Sequence, residues 1–127
     1  MNVTESSQMY LETILVLSKK GPVRSIDIAN EMEFSRPTIS IAIHNLQKEG
    51  YLKIADDGTI SLEPSGQEIA ETIYERHTTL TEIFKLIGVK EEIASDDACK
   101  IEHDLSPETF TAIKKAYKKY KKYLNTK

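Results

Sequence analysis

A thiol, a carboxylate and an imidazole stand at Cys99, Glu102 and His103, spaced i, i+3, i+4. On a helix that spacing stacks three side chains on one face within a single turn. Each type offers a lone pair that a first-row divalent metal accepts, so the triplet reads as part of a metal site. The competing reading is an exposed Glu–His pair beside a buried cysteine, and the triplet alone does not separate the two. Two other places offer donors. His77 falls in the apolar stripe of Ile69, Ile73, Leu80, Phe84 and Ile87, where a lone histidine can equally be a satisfied core residue. Met9 and Glu12 stand at i, i+3 near the start of the chain, where Met9 also suits core filling. Taken together, three expected helices present soft or anionic ligands, which favours a shared site. Sulfur at Met9 and Cys99 favours Fe²⁺ over the oxygen-preferring Mn²⁺; Zn²⁺, Co²⁺ and Ni²⁺ could bind more tightly by the general affinity order, so availability would decide.

A second constellation suits contact with DNA. Ile39, Ala42, Ile43 and Leu46 follow the i, i+3, i+4, i+7 pattern and should face a core. Arg36, Pro37, Ser40, Ile41 and His44 are then left pointing outward. Ser35 is a good N-cap, and Pro37 sits in the first turn, where no intrahelical N–H is lost. Such a helix start approaches a groove closely and offers N–H groups to a phosphate. Arg36 would pair with a phosphate, Thr38 and Ser40 would donate to phosphate or base edges, and Pro37 and Ile41 would touch thymine methyl groups. Lys53, in the following hairpin, is a further phosphate contact. The plainer alternative is that Ser35 and Thr38 only cap, with Ile41 and Lys53 ordinary exposed residues.

Elements that must position these residues can be read along the chain. Thr4 caps a helix to about residue 20, whose apolar face is Leu11, Ile14 and Leu15 with Val16 and Leu17, and Gly21-Pro22 ends it. Short helices follow over about 25–31 and from Ser35 to the stop at Gly50. Residues 51–54 and 59–62 read as strands around the turn Asp56-Asp57-Gly58. Helix, helix, helix, hairpin is the order of a winged helix-turn-helix, and the hairpin, with no sheet to join, must pack on the helices. A long helix then runs from Pro64 or Ser65 to Ile87, about 35 Å at the standard rise. A short helix over about 96–104 and a last one, capped by Ser106 with Pro107 at its first position, complete the chain. The expected fold is mainly α. A winged helix-turn-helix DNA-binding domain spans 1–63, and an all-helical metal-binding and dimerisation domain spans 64–127.

Bulk properties narrow the class. The chain has 127 residues, 39% hydrophobic and 29% charged, as in ordinary globular proteins. No run approaches the roughly 20 apolar residues of a membrane span. The N-terminus lacks the basic start and apolar core of a secretory signal, and one cysteine cannot build a disulfide framework. A cytoplasmic location with no membrane partner is expected. A net charge of −3 weighs against DNA binding unless basic spots or a bound cation offset it. Acids outnumber bases from Pro64 to Ile113, whereas 114–127 holds seven lysines and no acid. That tail reads first as a solvated helix end. No motif implies a small organic substrate, so an enzyme is not expected.

Over nearly its whole length the sequence resembles the diphtheria toxin repressor family of metal-dependent repressors. The resemblance is carried by ESSQMYLETILVL at 5–17, SRPTISIAIHNLQKEG at 35–50, the hairpin with Leu62-Glu-Pro-Ser-Gly66, Arg76-His77 and, most specifically, DACKIEHDLS at 97–106. The chain is similar to the short, two-domain members and ends where longer ones add an SH3-like domain. By this resemblance, Met9, Cys99, Glu102 and His103 match ligands of the iron-responsive type, while Glu12 and His77 match ligands of the manganese-responsive type. Ser95 replaces a histidine that iron-type members carry at an ancillary site. Ser35, Pro37, Thr38, Ser40 and Ile41 fall on the family's DNA-facing positions. A homodimer is implied that represses iron or manganese homeostasis genes from a palindromic double-stranded DNA operator when Fe²⁺ (or Mn²⁺) binds. The rival is a winged-helix regulator that answers to another ligand or to none.

Overall fold

The computed structural model describes residues 3–125; Met1, Asn2, Thr126 and Lys127, the last lysine of the basic tail, lie outside the described residues. The chain divides into two compact units, Met1–Ile73 and Tyr74–Lys127. The division falls inside the long helix, ten residues beyond the expected break at 63/64.

Unit one holds α1 (Glu5–Ser18), α2 (Ser25–Met32), α3 (Arg36–Lys48), β1 (Leu52–Ile54), β2 (Ile60–Leu62) and the start of α4 (Pro64–Leu86). Its start signals act as their chemistry dictates. The Thr4 hydroxyl accepts from the Ser7 N–H at 3.1 Å, and the Ser35 hydroxyl accepts from the Thr38 N–H at 3.3 Å. Leu11, Ile14 and Leu15 of α1 pack in the core with Ile28 of α2 and Ile39, Ile43 and Leu46 of α3. Val16 is exposed instead, at 37%, because one residue past Leu15 the helix has turned 100° out of the buried stripe. Of the four α3 positions expected inside, Ala42 is only half-buried. Glu33 ends α2 in the left-handed conformation, at φ 57°, and Phe34 N–H donates to the Ala29 carbonyl at 3.1 Å. A side chain with a Cβ tolerates that conformation at a cost of about 1 kcal/mol. It reverses the chain into α3 within three residues.

The strands pair antiparallel, Leu52 with Leu62 and Ile54 with Ile60. Gly58 N–H donates to the Ala55 carbonyl and Ala55 N–H to the Thr59 carbonyl, with Gly58 at φ 89°. This is the three-residue hairpin loop that needs glycine at its last position. The Thr59 N–H and hydroxyl hold the Asp57 carboxyl below its ordinary range. The hairpin does find a strand-like neighbour: Ile60 N–H donates to the Val23 carbonyl at 2.7 Å. It packs on α1 and α3 as expected, and this bridge is one further neighbour. Val23 is β-branched, a side chain that suits extended backbone.

The wing is fastened to α4 at one tight point. Glu63 N–H donates to the Tyr51 carbonyl at 2.9 Å, and the Ser65 hydroxyl donates to the Gly50 carbonyl at 3.0 Å. A Cβ on buried Gly66 would collide with the Tyr51 carbonyl. Backbone cannot yield as a side-chain tip would. Gly66→Ala should therefore destabilise unit one by about 2 kcal/mol or more, within the range for core overpacking. A urea titration followed by circular dichroism measures it.

Unit two holds the rest of α4, α5 (Glu91–Ile101) and α6 (Pro107–Asn125). Gly88, at φ 105°, ends the long helix, and Ile87 lies past the last helical turn, 69% exposed rather than in the expected stripe. The helix expected over 96–104 begins earlier and ends earlier, at Glu91–Ile101. Lys90 precedes it without a side-chain cap, so the sequence carries no start signal there. Its end is set by the turn into α6, where Asp104 N–H donates to the Ile101 carbonyl at 3.1 Å and the Ser106 hydroxyl caps Thr109 N–H at 3.1 Å. Leu80, Ala94, Ala98 and Phe110 form the apolar core of this unit. Among the described residues no helix is long and apolar enough to cross a membrane.

Candidate metal centre and reading helix

In unit two, Cys99 sits in the last turn of α5, Glu102 caps that helix, and His103 is the next residue in the turn. The i, i+3, i+4 spacing still works, because Glu102 keeps helical backbone angles and its N–H bonds the Ala98 carbonyl at 2.9 Å. Cys99, Glu102 and His103 each bring one donor atom into a group whose members all lie within 4.8 Å of one another. Donors bound at roughly 2.0–2.3 Å to one ion stand about 3–4 Å apart, so small side-chain rotations close the gap.

Glu102 is wholly buried. Its Oε2 accepts from His77 Nδ1 at 2.8 Å, since a carboxylate only accepts and the ring nitrogen must donate. Its other oxygen, Oε1, receives no hydrogen bond among the described residues and lies 3.4 Å from His103 Nε2. A buried carboxylate oxygen left in that state is costly in a finished core. Beside a thiol and an imidazole it is what a divalent cation requires. The residues present fit a metal.

Two supporting residues escaped the sequence reading as contributors. Arg76, one turn from Ile73 on α4, is 8% exposed, and its guanidinium donates to the Glu102 carbonyl at 3.1 Å and the Leu105 carbonyl at 2.6 Å. The guanidinium also lies over the Phe110 ring, 5.5 Å from its centre. An arginine inside an apolar stripe, directly before a candidate ligand, was the available signal. Ser95, known from the sequence only as a replacement, places its hydroxyl 3.2 Å from His77 Nε2.

In unit one, Met9 and Glu12 occupy adjacent turns of α1, both half-buried. The DNA-facing set gathers on α3. Ser35 and Thr38 hydroxyls share a hydrogen bond of 2.7 Å at its N-terminus, and Arg36 and Pro37 are exposed beside them. Ile41 is 65% exposed, an apolar side chain standing out of the helix. Ser40 is half-buried, and its carbonyl accepts from His44 Nδ1 at 2.7 Å. Lys53 is exposed on β1, across from Ser61.

Comparison with known proteins settles the family. Residues 2–60 match the N-terminal DNA-binding domain of iron-dependent repressors, and residues 63–123 match their metal-binding and dimerisation domain. The chain belongs to the iron-dependent repressor family. Among curated relatives of this repressor-family chain, the diphtheria toxin repressor of Corynebacterium diphtheriae is 28% identical over 120 residues, covering 92% of this chain and 53% of its own length. The transcriptional regulator MntR of Lysinibacillus sphaericus is 32% identical over 104 residues, covering 81% of this chain and 75% of its own length. The chain thus spans about half the length of the diphtheria toxin repressors it matches. A manganese-dependent transcriptional repressor solved in complex with manganese shares the fold, with a TM-score of 0.78 at 24% identity over 87% of this chain and 52% of that one. The IdeR structure from T. acidophilum does likewise, with a TM-score of 0.71 at 24% identity over 92% and 55%. The mainly α architecture, winged helix first and helical unit second, is that of the family.

Proposed function

We propose that this chain is a cytoplasmic transcriptional repressor, not an enzyme, that binds a palindromic double-stranded DNA operator as a homodimer when a divalent transition metal is bound. Fe²⁺ is the favoured effector and Mn²⁺ the second. The observation that carries this reading is the buried Glu102, whose Oε1 lacks a hydrogen bond among the described residues, grouped with Cys99 and His103 in a chain of the iron-dependent repressor family. Met9 and Glu12 of α1 and His77 of α4 are the proposed further donors. A bound ion supplies directional bonds and positive charge to an acidic protein, which favours DNA association.

The working halves are 1–63 and 64–127 in this proposal. Donors drawn from both make metal affinity depend on how the halves are arranged, and that difference in affinity is what shifts the population. In a symmetric dimer the arrangement sets the distance between two α3 helices, which must match half-sites about 34–36 Å apart or a multiple of it. On α3, Arg36 takes a phosphate, Ser35, Thr38 and Ser40 supply short hydroxyls near phosphate and base edges, and Pro37 and Ile41 meet thymine methyl groups. Lys53 adds a backbone contact from the wing.

The test is an anaerobic DNA mobility shift on chelated protein titrated with Fe²⁺ or Mn²⁺. Metal should tighten operator binding by the wild type, and Cys99→Ala should weaken the response by at least about 10-fold, the lower bound for outer-shell changes, while circular dichroism stays unchanged. Wild-type binding that ignores the chelator would instead favour a regulator answering to another ligand or to none.

A further inference from the structure

We propose that Ser95 is a positioning residue that sets the metal affinity of the Cys99–Glu102–His103 centre through His77, an inference that rests on the metal-centre reading above. Ser95 lies on α5 one turn before Cys99, half-buried, and its hydroxyl stands 3.2 Å from His77 Nε2. The opposite ring nitrogen, Nδ1, is 2.8 Å from Glu102 Oε2. Both sides of one imidazole are therefore engaged, and the engagement is directional. A carboxylate only accepts, so Nδ1 carries the proton; in the neutral ring Nε2 then has only a lone pair, and the Ser95 hydroxyl donates to it. The result is a relay, Ser95 to His77 to Glu102, that fixes both the tautomer and the plane of the ring.

The relay ends where the chemistry begins. With Oε2 held by His77, rotation of the Glu102 carboxylate is restrained, and Oε1 stays 3.4 Å from His103 Nε2. A donor already aimed loses less rotamer entropy when an ion binds. The same relay restrains His77 itself. Its lone pair faces Ser95, so coordination through Nε2 breaks that hydrogen bond, and coordination through Nδ1 breaks the one to Glu102. Ser95 thus supports a first ion at Cys99, Glu102 and His103, and His77 joins as a further donor only when its bond to an ion outweighs the hydrogen bond it gives up.

The experiment uses the full chain and Co²⁺ alone as probe, titrated anaerobically in competition with a chromophoric chelator. Co²⁺ also reports thiolate ligation through its charge-transfer absorption. Ser95→Thr and Ser95→Val have nearly the same shape and differ in the hydroxyl. The threonine variant should bind within about 2-fold of wild type, and the valine variant about 10-fold more weakly, as outer-shell substitutions do. In metal-free melting curves the valine variant should fall slightly below the threonine variant, by the one hydrogen bond it lacks, and both are compared for Co²⁺ affinity where they are fully folded, so that lost stability does not account for the difference in binding. Equal affinities for Thr and Val, with the wild type binding Co²⁺ normally, overturn the relay and leave the metal centre standing. A wild type that takes up no Co²⁺ overturns the metal centre, and the relay with it.

Discussion

Glu102→Gln should abolish the response to metal while leaving the metal-free protein as stable as the wild type or more so. Excess metal at 100 times its dissociation constant adds about 2.7 kcal/mol to the stability of a protein that binds only when folded. Loss of one anionic ligand that weakens binding 100-fold cuts that gain to about 0.4 kcal/mol by the same relation. Without metal the balance runs the other way. Glu102 is wholly buried, and Oε1 has no hydrogen bond among the described residues, so the folded apo protein carries the desolvation cost of a carboxylate with only one oxygen served. Glutamine has the same length, keeps an oxygen for His77 Nδ1–H, and turns an amide N–H₂ toward His103 Nε2, 3.4 Å from the present Oε1. Urea titrations with chelator and with Mn²⁺ give both numbers. A metal-free loss above about 2 kcal/mol, the scale of a broken buried hydrogen bond, would make the carboxylate a structural group. An intact metal response would remove it from the ligand set.

That pairing of cost and use explains which parts of the molecule were legible beforehand. Elements whose limits are written in local chemistry were readable from the residues: Thr4, Ser35 and Ser106 at helix starts, Pro37 and Pro107 in first turns, Asp56-Asp57-Gly58 in the hairpin. α5 was misplaced at both ends, because Lys90 offers no cap and its last turn is fixed by the chain beyond it. Val23 gave no hint of pairing with Ile60, since a single bridging residue leaves no alternation to detect. The donors at Cys99, Glu102 and His103 were legible as types at a helical spacing. Their supports were not. Arg76 and Ser95 act through long-range hydrogen bonds, to a carbonyl 29 positions on and to a ring 18 positions back, and no local period encodes those. The exposed Ile41 was the opposite case: the α3 period assigns it outward, where the proposed function gives it a thymine methyl group to meet.

Arg76→Met should cost unit two about 3–5 kcal/mol, the largest loss expected of any single change here. Among the described residues Arg76 and Glu102 are the buried charged side chains, and one Arg76 nitrogen serves the carbonyls of both Glu102 and Leu105. These carbonyls bracket the turn that carries Glu102 and His103 from α5 into α6. Methionine restores most of the volume but no donor, so two carbonyls lose their partner at about 1–3 kcal/mol each. The contact between the guanidinium and the Phe110 face goes as well, at about 0.5–2 kcal/mol. Arg76→Lys keeps charge and donors but not the flat group over Phe110, and should recover part of the loss. The functional effect should exceed the structural one. Once the turn is untied, metal binding must also order it, so affinity for Co²⁺ should fall by at least about 10-fold even under conditions where the variant is fully folded. If chelator competition on folded Arg76→Lys and Arg76→Met protein returned wild-type affinity, the turn would be held by something other than this arginine, and the preorganisation assigned to it would be wrong.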